Sequence, residues 1–243
     1  MKIFGFKTSK EDKFINITCN IIMSLIVLVV FSLSIFSPVI NVSSLPIEKA
    51  FYNGSKENKN ISLMINVYWG TEYIDDMLAT LKANDVKSTF FVGGCWVAKN
   101  NEMLQKIFNS GHEIGNHGYN HKDHAKLSAK QNQDEIYTTG ELVEAVTGYK
   151  MNLFAPPSGS YNDNVLSVAS SLGYKTIMWS KDTIDWRDKS EELVFSRCTN
   201  KAENGDFILM HPTLHTANAL GRVIKTLKEK GFNLVTVSQN LDM

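Results

Sequence analysis

Two histidines, His117 and His121, sit four residues apart in the segment GHEIGNHGYNHKDH. Two neutral imidazoles at that spacing can hold one divalent ion, most commonly zinc, and His124 is a further candidate. Downstream, WSKDTIDWRD brings Asp182 and Asp185 close to Trp186. A carboxylate and an aromatic placed so can orient a histidine and floor a sugar-sized pocket. FILMHPT then ends an apolar run on His211, suited to general acid–base work. LFAPPSGSYN sets Pro157 and Tyr161 in a rigid loop with backbone donors. Its Ser158 and Ser160 lack the setting of a nucleophile elbow, which argues against a serine hydrolase. INVYWG has the apolar run and glycine stop of a strand that ends at a site, yet Asn66, Val67, Tyr68 and Trp69 include no acid or base. Each motif also has a plain structural reading: solvated loop histidines, a helix-capping aspartate, a strand-capping histidine.

The elements that must carry these residues follow from periodicity. Short apolar runs predict strands at Ile61–Val67, Lys87–Val92, Glu113–Asn116, Met151–Ala155, Lys175–Trp179, Phe207–His211 and Asn233–Val237. Helical patterns fill the gaps at Glu72–Ala83, Asn101–Asn109, Ser128–Val146, Asn162–Leu172, Ser190–Ala202 and Ala217–Lys230. Gly111, Gly148, Gly173 and Gly231 each follow a helix, and Ser128 and Ser190 read as N-caps. Strand alternating with helix implies parallel pairing with right-handed crossovers, in an open doubly wound sheet or a small barrel. The chemistry-bearing residues all follow strands, at the end where α/β proteins place their sites.

Composition narrows the function classes. Lys+Arg 25 balance Asp+Glu 25, so no basic face argues for nucleic acid. The hydrophobic share of 43% suits a globular core. Cys19, Cys95 and Cys198 lack metal-type spacing; a Cys95–Cys198 disulfide and two buried inert thiols both stay open. Lys2, Lys7, Lys10 and Lys13 precede an apolar run from Ile21 to Phe36 that extends loosely to Ile40. That pattern predicts a cytoplasmic basic segment (1–20), a signal anchor or transmembrane helix (21–40), a polar linker (41–60) and an exported domain (61–243). No clear cleavage site follows the run, which favours a retained anchor over a cleaved signal peptide.

In this order, STFFVGG, GHEIGNHGYNH, APPSGSY, DTIDW, ILMHPT and LKEKGFNLVTVSQ resemble the polysaccharide deacetylases of carbohydrate esterase family 4, the NodB-homology domain, in its sporulation-associated branch. The resemblance runs from about Ile61 to Leu241. It implies a distorted, incomplete (β/α) barrel of about seven parallel strands, preceded by the N-terminal hydrophobic helix. It also implies hydrolysis of acetyl groups from an N-acetylated glycan, peptidoglycan or chitin-like, with a divalent metal (zinc or similar) as cofactor. On it, His117 and His121 match the metal histidines, His211 the acid, Asp185 the carboxylate that holds it, and Trp186 the pocket wall. Trp69, Tyr161 and Pro157 fall at substrate-contacting positions. The family's first motif falls on MINVYWG: the base position becomes Asn66, the metal aspartate becomes Val67, and the tethering arginine becomes Ala155. The resemblance thus implies either a deacetylase with a substitute base, with Asp182 one candidate, or a glycan-binding or scaffolding pseudo-enzyme of the cell envelope.

Overall fold

The computed structural model describes residues 18, 20–25 and 49–242. The chain divides into two compact units, Met1–Ser44 and Leu45–Met243. In the first, the described residues Thr18 and 20–25 are helical. Most of the anchor expected over 21–40 lies outside the described residues. Among the described residues, no helix is long and apolar enough to cross a membrane.

The second unit alternates strands and helices. In order these are β1 (Asn60–Val67), α1 (Ile74–Ala83), β2 (Thr89–Val92), α2 (Gly94–Val97), α3 (Asn101–Asn109), β3 (Glu113–Asn116), α4 (Ala129–Thr147), β4 (Leu153–Phe154), α5 (Asp163–Ser171), β5 (Lys175–Thr176), β6 (Lys181–Asp182), α6 (Glu191–Thr199), β7 (Phe207–Met210), α7 (Leu214–Glu229), β8 (Asn233–Leu234) and α8 (Val237–Asn240). The strands pair in parallel in the order β5-β4-β3-β2-β1-β7-β6, with β8 on the start of β1. The result is an open, curled half-barrel of the NodB type, as the motifs imply.

β1 shows how the sequence divides its two faces. Ile61, Leu63, Ile65 and Val67 are buried in the layer between sheet and helices, while Met64 packs inside the curl with Phe91, Leu153, Ile177 and Phe207. A period of two along a strand produces that division. Asn66 falls on the inner set, at the strand's carboxyl end. Helix starts follow local chemistry. The Ser128 hydroxyl accepts from Gln131 N–H while the Gln131 side chain accepts from Ser128 N–H, a capping box for α4. Gly148 ends α4 at φ 71°, a left-handed conformation that costs glycine little.

Within the linker expected over 41–60, Phe51 pairs in parallel with Ile177, and Asn53 in antiparallel with Asp206. Two strand expectations need correction. The strand expected over Asn233–Val237 stops at Leu234, because Thr236 and Gln239 form a second capping box that starts α8. α8 then docks at the amino end of β1, where Asn240 Nδ2 donates to Ser62 Oγ at 3.0 Å. The strand expected to reach Trp179 ends at Thr176, and the added strand β6 follows.

Candidate functional site

Four strand ends converge on one cavity of about 320 Å³. β1 supplies Asn66, and Tyr68 follows it; β3 is followed by His117 and, after a tight loop, His121; β7 is followed by His211. Asp182, at the end of β6, and Trp186 beyond it stand on the far side. Trp179, Ser158 and Leu209 complete the lining.

The histidine loop is shaped from outside the cavity. Glu135 on α4 accepts hydrogen bonds from Tyr119 N (2.8 Å), Asn120 N (2.6 Å) and Asn120 Nδ2 (2.9 Å), and pairs with Lys122 Nζ at 3.0 Å. Burial works against the ionised Glu135, but these donors outweigh it and hold its carboxyl below the usual range. Within the same loop His121 takes φ 54°, a conformation that costs a non-glycine residue about 1 kcal/mol or more. Gly93 makes the space above β2: a Cβ there would come within 3.2 Å of the Tyr68 Cβ.

The tautomers of the buried histidines follow from their partners. His117 is 1% exposed, and its Nδ1–H donates to the Ala155 carbonyl at 2.7 Å. Its Nε2 therefore carries a lone pair, and the Asn66 Nδ2 amide donates toward it at 3.4 Å. Burial, then the neighbouring His121, pushes His117 well below the ordinary histidine range, so it is neutral. Burial lowers His121 as well, against a raising bond to its own backbone. His211 Nδ1–H donates to Asp185 Oδ1 at 2.7 Å, which turns its Nε2 toward the cavity. Asp185 is fully buried, and its Oδ2 accepts from His211 N (2.7 Å) and Thr216 Oγ1 (2.6 Å). Burial would raise its carboxyl, yet the bonds from His211 and Thr216 bring it below the usual value. The motifs pair Asp185 with His211, and the fold brings the two together.

The expected metal seat does not have the donors it needs. Among the described residues, no three His, Cys, Asp or Glu side chains converge on one point. The one free lone pair of His117 already faces an N–H donor. Val67, at the expected metal-aspartate position, is wholly buried in the helix-facing layer and does not line the cavity. The side chain that reaches the imidazoles from beyond β1 is Tyr68. Its ring stacks on His121 with centroids 3.6 Å apart and lies 5.9 Å from His117. The residues present do not fit a catalytic zinc, which wants three protein ligands.

Of the residues expected to contact substrate, Trp186 lines the cavity and is 56% exposed at its mouth. Trp69 stacks on His211 with centroids 5.2 Å apart, beside the cavity. Pro157 and Tyr161 lie outside the lining. Pro157 is buried behind Gly118, and the Tyr161 hydroxyl bonds that of Tyr52 at 2.9 Å. Trp179 reads as core in the sequence, and Leu209 carries no signal there. Trp179 packs partly on the inner core while also lining the cavity. Cys95 and Cys198 are both free thiols.

Comparison with known proteins agrees with this geometry. A family model described as polysaccharide deacetylase matches residues 53–177. A protein of Bacillus subtilis (strain 168), YlxY, is 40% identical over 205 residues, 84% of this chain and 64% of that protein. The chain thus spans just under two thirds of the length of YlxY. The peptidoglycan-N-acetylmuramic acid deacetylase PdaA of the same organism is 33% identical over 193 residues, 77% of this chain and 73% of PdaA. Among solved structures, BA3943 of Bacillus anthracis, described as a CE4 family pseudoenzyme, superposes with a TM-score of 0.79 at 38% identity, covering 84% of this chain and 73% of that one. A mutant of BA3943, described as having restored enzymatic activity, superposes equally, with a TM-score of 0.79 at 36% identity, over 84% of this chain and 75% of the mutant.

Proposed function

The chain belongs to the polysaccharide deacetylase family, and within it we propose a glycan-binding pseudo-enzyme of the cell envelope. The observation that carries this reading is the contact between Asn66 Nδ2 and His117 Nε2. Deacetylation of an N-acetyl sugar needs a base to activate water and a group to polarise the acetyl carbonyl. An amide at position 66 has no basicity near neutral pH, and its N–H faces the lone pair a metal would use. The other half of the chemistry survives: the buried Asp185 orients His211 toward the cavity. That half favours a second reading, a slow deacetylase in which Asp182 serves as base. The aromatic side chains at the mouth support binding, since sugar faces stack on aromatics while a few polar groups fix orientation. Two structural relatives support the same reading: one family member is described as a pseudoenzyme, and its mutant as active again.

The export signal belongs to this proposal. Lysines before the apolar run 21–40 support a single-pass protein with the domain on the outer side of the membrane, where wall glycan lies. Protease treatment of intact cells tests that placement: the domain should be digested without lysis. The function itself is tested by incubating the full chain with N-acetylglucosamine oligomers and with peptidoglycan, with and without added zinc. Retention on wall glycan with no acetate released is the expected outcome. Acetate release at rates typical of complete family members would overturn the reading.

A further inference from the structure

Resting on the glycan-binding reading, the chemistry of the cavity also indicates which sugar it takes. Among the described residues, the one carboxylate in its lining is Asp182. It stands on the far wall, with its Oδ1 accepting the Ile184 N–H at 2.8 Å. Among the described residues, no lysine or arginine lines the cavity. The remaining walls are aromatic: Tyr68, Trp179 and Trp186. One carboxylate and three π-faces, with no lysine or arginine beside them, suit a compact cation that carries several N–H donors. An N-acetyl group is the poorer match. It is uncharged, and it brings one N–H where an ammonium brings three.

We propose that the cavity binds the free 2-ammonium of a deacetylated glucosamine unit in preference to the N-acetylated sugar. The protein would then act downstream of amide hydrolysis on the glycan, as a reader of its product.

The test is calorimetry on the full chain in detergent at pH 6, with the tetramer of glucosamine and the tetramer of N-acetylglucosamine as separate ligands. The free-amine tetramer should bind about tenfold more tightly, the discrimination expected from one cation–π contact and one charge-assisted hydrogen bond. Asp182→Asn should remove most of that preference with an unchanged melting temperature, since asparagine retains an oxygen for the Ile184 N–H. Tighter binding of the acetylated tetramer would overturn the ammonium assignment while leaving glycan binding intact. A preference untouched by Asp182→Asn would overturn the assignment to this cavity. Failure of both tetramers to bind would overturn this inference and the glycan-binding reading together.

Discussion

Replacing Asn66 with aspartate puts a carboxylate where an amide now faces His117. At the observed 3.4 Å, an ionised carboxylate and an imidazolium attract by about 5 kcal/mol at an effective dielectric of about 20. Position 66 is only 3% exposed, so the carboxylate cannot shed its charge cost into water. With His117 neutral it becomes a buried charge without a partner, a defect worth about 3–5 kcal/mol. The pair therefore titrates as a unit. His117, held well below the ordinary range in the wild type by burial, should rise in Asn66→Asp. A histidine whose folded value is raised contributes stability below its unfolded value, and loses it as pH rises through the folded value. Urea unfolding should thus show a deficit relative to wild type that is small near pH 6 and largest near pH 9. His117 ring resonances in NMR should move with the same transition. Zinc added at pH 8 should shrink the deficit, because the introduced carboxylate would join His117 and His121 to offer three ligands. A deficit that is flat across pH and indifferent to zinc would refute the claim that position 66 faces His117.

Other substitutions probe the scaffold around the site. Glu135→Gln keeps the shape of the loop clamp but removes its charge, and should cost about 2 kcal/mol in urea unfolding at pH 7. Because the Glu135 carboxyl is held below its ordinary value, its contribution is present above the unfolded carboxyl range and lost as pH falls through the folded value. The Gln variant and wild type should therefore converge in acid. His124 is fully buried with both ring nitrogens unpartnered among the described residues. His124→Leu should therefore leave stability unchanged or raise it by up to about 1 kcal/mol, read as a shift in denaturation midpoint. A Cβ added at Gly94 would come 2.2 Å from Tyr119 Cδ2 and 2.7 Å from Thr139 Oγ1. Gly94→Ala should cost about 1–3 kcal/mol through overpacking, read in the same assay.

Much of this architecture is written in local pattern. The alternation along β1, the Ser128 cap and Gly148 each state their structure within a few residues. Asp185 and His211 can be paired in advance because their motifs carry family resemblance. What escapes the sequence depends on non-local geometry. β6 is two residues long, too short for any period to register. Residues 49–60 are polar and aperiodic, and only the sheet edge they meet gives them backbone pairing. Position 67 follows the alternation of Ile61, Leu63 and Ile65, so aligning the first motif by residue order places Val67 at the metal while the strand turns it to the helices. Glu135 is separated from Tyr119 by a helix start and carries no motif, yet it governs the loop that carries both histidines. Trp179 reads as core because it packs as core on one side, and only the curl of the sheet opens its other side to the cavity.

The most direct measurement is zinc retention by the full-length wild type, by equilibrium dialysis and elemental analysis near pH 7.5 beside His117→Ala. If the Asn66 amide occupies the lone pair of His117, wild type should hold far less than one zinc per chain and the variant should match it. One zinc per wild-type chain, lost in His117→Ala, would show that the pocket keeps a metal seat and would contradict the claim that the Asn66 amide closes it.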